Sequence, residues 1–317
     1  IYTYEKRWIA GEEYADQRLI LHFEGVYRNT LVRVNGVPVG GKHYGYAPFW
    51  LDITDAVKTG EENLIEVEAD NSEIPNSRWY TGGGIYRPVW LLSAGAVCIQ
   101  PCGVKIKTVS IDPAVIRISV ETNAAEIMLQ ITDHGKVLLE ETAAQVKPAG
   151  ENPCDTGREM HPITREVLLP DAVLWDEDHP HLYTCLVSAL QDGVAVDTAV
   201  TDFGIRMVTC SPEGLYVNGK ETLLRGGCMH SDNGILGAAS FPEAEYRKAR
   251  IMKEAGFNAI RCAHNPASPS LLDACDRLGI YVMDEGWDMW YKRKTRYDYA
   301  LHFMEDYEED IRAMVST

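Results

Sequence analysis

The chain has 317 residues and a formal net charge of −17, from 47 acidic against 30 basic side chains. A chain of this length predicts two or three domains. The acidic balance argues against nucleic acid or an anionic membrane surface as a partner, because phosphate groups bind basic faces. A neutral ligand is the better expectation.

The cysteines and the N-terminal sequence bear on the cellular compartment of the protein. No apolar run approaches the roughly 20 residues that span a bilayer, and the first residues carry no signal-peptide pattern. Eight cysteines are spread along the chain without a CxxC pair, which predicts free thiols, several of them buried, rather than a disulfide framework. We expect a cytoplasmic protein. The alternative is a periplasmic or secreted form whose signal has been removed.

Residues 1–97 carry strand patterns and no helical period of useful length. Residues 18–23 form an apolar run typical of a strand, and residues 65–69 alternate apolar and acidic side chains, as a half-buried strand requires. Asn35-Gly36 between two β-branched runs predicts a hairpin with a type I′ turn. The block predicts an all-β sandwich.

A glycine-rich loop at residues 71–84 precedes the last strand of this block. It carries Arg78, Trp79 and Tyr80 ahead of three consecutive glycines. Aromatic and guanidinium groups together suit stacking on a sugar or an interface. Packing of the same aromatics on a neighbouring domain is an equally good interpretation.

Residues 98–207 predict a second β domain. Residues 116–120 and 127–131 alternate, and Asp192-Gly193 predicts another hairpin turn. Short strands at this spacing indicate an immunoglobulin-like β-sandwich, with a long surface loop over residues 147–162.

Two histidines in this block, His179 and His181, raise the question of a metal site. No Cys or carboxylate stands at ligand spacing from them in the sequence. A surface or packing role is the favoured interpretation.

Residues 208–317 alternate strand and helix three times. Strand patterns end near His230, at residues 261–264 and at residues 284–285. The connections are short, which predicts parallel strands and the first three βα units of a (β/α)8 TIM barrel. The carboxyl ends of parallel strands are where such folds place their chemistry.

Capping patterns mark the helices between these strands. Ser240 and Glu243 predict a capping box. Ser268 is a predicted N-cap before Pro269, and Gly279 is predicted to end that helix.

Several motifs resemble glycoside hydrolase family 2, whose members include β-galactosidases, β-glucuronidases and β-mannosidases. They occur in the family's order over nearly the whole chain and cover residues 78–89, 174–183, 203–206, 224–230, 257–264 and 281–285. The resemblance implies a jelly-roll domain at 1–97, an immunoglobulin-like domain at 98–207 and the start of the catalytic barrel at 208–317.

The resemblance also implies a substrate site. It places His230, Arg261 and His264 in the substrate subsite, with Asp284 and Glu285 beside it. The imidazoles would hold sugar hydroxyls, and Arg261 would support the charge of the nucleophile carboxylate.

The glycine-rich loop departs from the family pattern. In β-galactosidase and β-glucuronidase relatives an Asp of this loop reaches the substrate, and the matching position here is Arg78. We therefore expect Arg78 and Trp79 to be the loop's contribution to substrate binding.

The residues themselves leave structural alternatives open. Arg261 could form an ion pair with Glu285 or Asp284, and His264 could be a core histidine. Asp288 lies between Trp287 and Trp290, a pattern that suits a pyranose because it combines a hydroxyl acceptor with flat faces.

The family's reaction needs two glutamates that this chain is not expected to contain. Retaining β-glycosidases use two carboxyl groups ~5 Å apart, and the resemblance assigns them to barrel strands four and seven, beyond Thr317. We therefore expect this chain alone to be inactive. Residues 286–291 lack the Glu and His through which some β-galactosidases bind a divalent ion, so we predict no metal there and no cofactor.

The resulting expectation is part of a retaining, exo-acting β-glycosidase, with β-galactosidase favoured. β-Glucuronidase and β-mannosidase are the alternatives within the family, and a noncatalytic carbohydrate-binding scaffold is the alternative outside it. The expected partner is an oligosaccharide or β-glycoside, with no nucleic acid and no membrane. Self-association into a homo-oligomer is left open.

Overall fold

The computed structural model describes residues 1–145 and 160–316. They are mostly β-strand, with three α-helices, all after residue 241. None of these helices is long and apolar enough to cross a membrane. The Cα positions cluster into two compact units, Ile1–Ser93 with Gly226–Cys275 and Val282–Thr317, and Ala94–Arg225 with Asp276–Tyr281.

The first part of the chain is a sandwich of antiparallel strands, as its alternation predicts. One sheet has the order β1-β7-β4-β5, a second has β6-β2-β9, and β3 pairs with β8. Apolar side chains from both larger sheets, among them Phe23, Val32 and Val67, form one buried core. The strands are β1 Tyr2–Ile9, β2 Arg18–Phe23, β3 Val26–Tyr27, β4 Thr30–Val34, β5 Val37–Lys42, β6 Phe49–Asp52, β7 Glu62–Ala69, β8 Gly84–Ile85 and β9 Val89–Ala94.

The Asn-Gly turn predicted in this sandwich is confirmed. Val34 and Val37 are cross-strand partners, with Asn35 at φ 52° and Gly36 at φ 78°. Both central residues of a type I′ turn need positive φ, which Asn and Gly tolerate best.

The second unit is also built from packed antiparallel sheets. The orders are β10-β11-β14 and β13-β12-β15-β16, with a smaller sheet β17-β18-β19. Inward residues of both large sheets, including Ile118, Leu129 and Val187, are fully buried in one core. The strands are β10 Ile99–Ile111, β11 Ala114–Thr122, β12 Glu126–Asp133, β13 Lys136–Ala144, β14 His161–Leu168, β15 Tyr183–Gln191, β16 Val194–Phe203, β17 Val208–Ser211, β18 Gly214–Val217 and β19 Lys220–Glu221.

Two sequence predictions for this unit have different outcomes. The Asp192-Gly193 hairpin is confirmed, because Gln191 pairs with Val194. The predicted surface loop at 147–162 lies mainly outside the described residues. Its last two positions belong to strand β14.

Three strand–helix units end the chain. β20 Gly226–Met229, β21 Ala259–Cys262 and β22 Tyr281–Met283 form one sheet in that order, and β20 and β21 are parallel. The helices are α1 Pro242–Glu254, α2 Pro269–Leu278 and α3 Phe303–Ser316.

The predicted helix caps differ in outcome. The Ser268 hydroxyl accepts the Leu271 N–H at 3.2 Å, so that N-cap is confirmed. The capping box at Ser240 is wrong: Phe241 is the N-cap residue of α1 and makes no side-chain cap. Ser240 Oγ instead donates to the buried Glu245 carboxylate at 2.7 Å.

The described cysteines lie in a mixture of environments. Four are buried and three are exposed, namely Cys98, Cys185, Cys262 and Cys275, and Cys102, Cys210 and Cys228. Burial raises the pKa of Cys185 to about 11, so this thiol stays protonated and unreactive.

Candidate active site

The candidate site lies where strands β20, β21 and β22 end, the position at which the sequence predicts it. His230 follows β20 directly, His264 lies two residues beyond β21, and Asp284-Glu285 follows β22. The parallel register sets Met229 opposite Cys262, so the residues after both strands emerge at one edge of the sheet.

An aromatic cluster joins two of these histidines to the glycine-rich loop. The Trp79 ring centroid is 5.9 Å from that of His230, at an interplanar angle of 26°, and 5.0 Å from that of His264, at 31°. The two imidazoles are 5.9 Å apart. Because Trp79 follows strand β7 and the histidines follow β20 and β21, folding brings together residues that are distant in sequence.

Both imidazoles of the aromatic cluster keep one nitrogen without a protein partner. His230 Nδ1 and His264 Nδ1 are buried atoms that make no hydrogen bond within the described residues. Buried polar atoms are normally hydrogen-bonded, and exceptions call for an explanation such as a bound ligand or water. These two nitrogens are therefore candidate ligand contacts.

Arg261 forms an ion pair with Glu285, which is the structural alternative that the sequence left open for this residue. Its Nε donates to Glu285 Oε1, and its Nη1 lies 3.5 Å from Cys228 Sγ. The Arg261 side chain is 42% exposed and that of Glu285 is 19% exposed. Arg261 therefore already has a carboxylate partner at the strand edge.

Asp284 accepts hydrogen bonds from the backbone. Its Oδ1 accepts the N–H of Ala267 at 2.9 Å and that of Glu285 at 3.2 Å. Burial raises its pKa above the ordinary value, although both backbone hydrogen bonds oppose the shift. Its contacts connect the segment after β21 to the end of β22.

Asp288 differs from its expected role as a free acceptor for sugar hydroxyls. Arg78 Nη2 lies 2.7 Å from its Oδ1 and 2.8 Å from its Oδ2. Lys294 Nζ donates to Oδ1 at 2.6 Å. The Asp288 side chain is only 3% exposed, so both carboxylate oxygens are already occupied. Burial alone would raise its pKa, but Lys294 and Arg78 outweigh that effect and hold it below the ordinary value.

An open cleft adjoins these residues. Its lining is aromatic with few charges and includes Tyr44, Tyr46, Trp79, His264, Trp287 and Asp288. Flat rings combined with a small number of placed polar groups are the usual composition of a small-molecule site.

Sequence reasoning missed two cleft residues of the first sandwich, Tyr27 and Arg28, and the Asp288 partner Lys294 in the loop before α3. Tyr27 donates its hydroxyl to Asn76 Oδ1 at 3.1 Å. Arg28 is buried and donates to the Tyr297 carbonyl oxygen at 2.7 Å. Lys294 was missed as the second cation on Asp288. No local motif marks these residues, since each acquires its role through a distant partner.

The paired carboxylate gives a stability prediction. Replacing Asp288 with asparagine is expected to lower the free energy of unfolding by about 1–2 kcal/mol at neutral pH. That lies between the values for surface and buried ion pairs, because Arg78 and Lys294 are 47% and 41% exposed. Urea denaturation measures the difference. Glu62→Gln is the matched control, since its pair with Arg7 is exposed on both sides.

The pH dependence of the Asp288 effect has a definite sign. A carboxyl whose folded pKa is lowered contributes stability above its unfolded pKa, and that contribution is lost as pH falls through the folded value. The stabilities of the parent protein and Asp288→Asn should therefore begin to converge as the pH falls below about 4, and should coincide only below the lowered folded pKa. An equal difference at low and neutral pH would contradict the ion-pair assignment.

Comparison with known proteins identifies the family. The profile described as "Glycosyl hydrolases family 2, TIM barrel domain" matches residues 208–305. The profile described as "Glycosyl hydrolases family 2" matches residues 103–206. Together the two profiles cover well over half of the chain.

Individual relatives agree with these profiles over almost the full chain. Beta-galactosidase BoGH2A of Bacteroides ovatus is 38% identical over an alignment of 318 positions that covers 98% of this chain and 37% of that protein. A beta-glucuronidase of Bacteroides fragilis is 31% identical and covers 89% of this chain and 42% of its own length. This chain thus spans about two fifths of these relatives.

Solved structures show the same relationship. A glycosyl hydrolase family 2 member from Bacteroides cellulosilyticus superposes with a TM-score of 0.89 at 36% identity, covering 99% of this chain and 41% of that one. A beta-glycosidase from Bacteroides vulgatus superposes with a TM-score of 0.87 at 28% identity. The resemblance predicted from the sequence motifs is confirmed, and the chain belongs to glycosyl hydrolase family 2.

Proposed function

We propose that the chain forms the substrate-positioning part of a retaining, exo-acting β-glycosidase that removes terminal β-linked sugars, with β-galactosidase favoured. The observation that carries this proposal is the aromatic cluster of Trp79, His230 and His264, with its two unpartnered imidazole nitrogens. An indole face suits the apolar C–H face of a pyranose. Imidazole nitrogens suit its hydroxyls, as donor or acceptor according to tautomer.

The reacting carboxylates are proposed to come from sequence outside this chain. A retaining glycosidase needs two carboxyl groups ~5 Å apart, and one of them must be available to attack as the nucleophile. Here Asp284 accepts two backbone N–H groups, Glu285 pairs with Arg261, and Asp288 holds two cations. None of these three is free to be the nucleophile, and the relatives are more than twice as long as the part they share with this chain.

The proposed domain layout is a jelly-roll domain at 1–97, an immunoglobulin-like domain at 98–207 and the first part of a TIM barrel at 208–317. The packed antiparallel sheets of the first two blocks and the parallel strands β20 and β21 support it. So do the matched profiles.

One observation favours β-glucuronidase as the second candidate. Arg28 lines the cleft, and its buried Nη2 makes no hydrogen bond within the described residues. A guanidinium group with a free N–H is suited to a carboxylate. A sugar with a C6 carboxylate would supply that partner, whereas a galactoside would offer a neutral hydroxyl.

A panel of nitrophenyl glycosides on the full-length protein tests the proposal. We expect turnover of the β-galactoside, and no turnover by residues 1–317 alone. Preference for the β-glucuronide, lost in Arg28→Met, would establish the second candidate instead. Preference for the β-mannoside would reassign the sugar. Absence of turnover on every member, with binding of sugars retained, would favour a noncatalytic scaffold and overturn the enzyme proposal.

The remaining functional expectations are proposals of the same kind. We propose a β-glycoside or oligosaccharide as the only partner class that the site requires, with no nucleic acid, membrane or cofactor in the reaction. Self-association is left open. A cytoplasmic location is proposed on the free thiols of Cys185, Cys210, Cys228 and Cys262, with a periplasmic or secreted form as the alternative.

A further inference from the structure

Three side chains with metal-ligating atoms meet at one end of the second unit. Asp133 and His134 lie at the turn between β12 and β13, and His181 lies two residues before β15. Asp133 Oδ1 is 3.0 Å from His181 Nε2 and 3.7 Å from His134 Nε2. All three ligand atoms lie within 4.8 Å of one another.

The backbone holds these three groups in place. Asp133 pairs with Lys136 across a two-residue turn, in which His134 has φ 45° and Gly135 has φ 83°. This is the positive-φ geometry of a type I′ turn, which fixes where the His134 side chain begins.

The His181 side is held by its own set of contacts. The His181 N–H donates to the His179 carbonyl oxygen at 2.8 Å. The His181 ring packs edge-on against Tyr183, with centroids 4.8 Å apart. Tyr183 is buried, and its hydroxyl accepts the Val173 N–H at 2.7 Å.

The close contact between Asp133 and His181 lacks the geometry of a hydrogen bond. Asp133 Oδ1 and His181 Nε2 are both buried atoms, and neither makes a hydrogen bond within the described residues despite their 3.0 Å separation. Two polar atoms that lie this close without a hydrogen bond between them are arranged like two ligands of one bound ion.

The ligand types and spacing indicate a particular class of ion. In a tetrahedral zinc site with ligands at about 2.0–2.1 Å, neighbouring ligand atoms lie about 3.3 Å apart. The two separations from Asp133 Oδ1, 3.0 and 3.7 Å, bracket that value. Two imidazoles with one carboxylate suit zinc, whereas calcium and magnesium prefer oxygen ligands alone.

We propose that Asp133 Oδ1, His134 Nε2 and His181 Nε2 form a zinc-binding site with water as the fourth ligand. The His134 side chain is 83% exposed, so the ion can enter from solvent. The bound ion joins the β12–β13 turn to the segment before β15. It acts as a structural cross-link and is independent of the glycosidase proposal. Sequence spacing missed the site, because the carboxylate partner of His181 comes from a separate hairpin.

Isothermal titration of Zn²⁺ into tag-free, chelator-treated protein tests this site. We expect one equivalent to bind, with a rise in the melting temperature and no comparable response to Mg²⁺. Asp133→Asn, His134→Ala and His181→Ala should each weaken binding about ten-fold or more, since even partners outside the ligand set change affinity by 10- to 100-fold. Co²⁺ provides a spectroscopic probe of the same site.

His179→Ala is the matched control. His179 lies two residues from His181, and its side chain is 77% exposed and pairs with Asp176. This variant should bind zinc as the parent does. The proposal is overturned if no zinc binds, or if all three ligand variants retain parental affinity. The exposed His134→Ala variant keeps the test decisive should His181→Ala fail to fold.

Discussion

Replacing Trp79 with alanine in the full-length protein is expected to lower kcat/KM for its β-glycoside by about 10- to 100-fold. Burying one large apolar side chain against a partner is worth about 1.5–3 kcal/mol, and about 1.4 kcal/mol corresponds to a factor of ten. The indole also packs on both His230 and His264. Its removal therefore takes away the proposed sugar-facing surface and loosens the two proposed hydroxyl-binding imidazoles together.

The kinetic constants distinguish two roles for Trp79. If it binds ground state and transition state equally, KM rises and kcat is unchanged. If it also positions the imidazoles, kcat falls as well. Trp79→Phe keeps a flat ring and should recover part of the loss. Unchanged kcat/KM in Trp79→Ala, with the melting temperature intact, would remove the aromatic cluster from the substrate site.

Local signals in the sequence were good guides where the structure depends on neighbours along the chain. The Asn35-Gly36 turn and the Ser268 cap are confirmed, because positive φ and an N-cap hydroxyl act over two to four residues. The Ser240 capping box is wrong for the opposite reason. The Ser240 hydroxyl donates to the buried Glu245 carboxylate instead, and this tertiary contact outweighs the local pattern.

The candidate site, too, could be predicted only where local sequence patterns determine the structure. The strand-end pattern correctly placed His230, His264 and Asp284 at one sheet edge. It could not show that Asp288 is held by Arg78 and Lys294, because those contacts depend on how a distant loop folds back. Side-chain chemistry gave the candidates, but their partners decide which candidates remain available to a ligand.

Trp175→Ala is expected to destabilise the second unit by about 3–5 kcal/mol, the range for truncating a buried large aromatic residue. Trp175 is 1% exposed. Its indole Nε1 donates to the Asp276 carbonyl oxygen at 2.8 Å, and its ring meets the Arg206 guanidinium at 4.6 Å. Alanine would leave a cavity and would remove the indole donor from the Asp276 carbonyl oxygen. Hydrogen exchange of strand β15 amides reports on this unit alone, and Val200→Ala, at a side chain that is 66% exposed, is the control.

Gly204 provides a coupled test of the same packing. A Cβ at Gly204 would lie 2.9 Å from the Trp175 Cβ, Cγ and Cδ1 atoms, so Gly204→Ala is expected to destabilise through overpacking by about 1–3 kcal/mol. In Trp175→Ala the obstructing Cγ and Cδ1 atoms are gone although the Cβ remains, and the added methyl group partly fills the cavity. The double variant should therefore be more stable than the sum of the single effects predicts. Strict additivity would mean that the cost at Gly204 arises from its backbone and that the indole does not set the packing there.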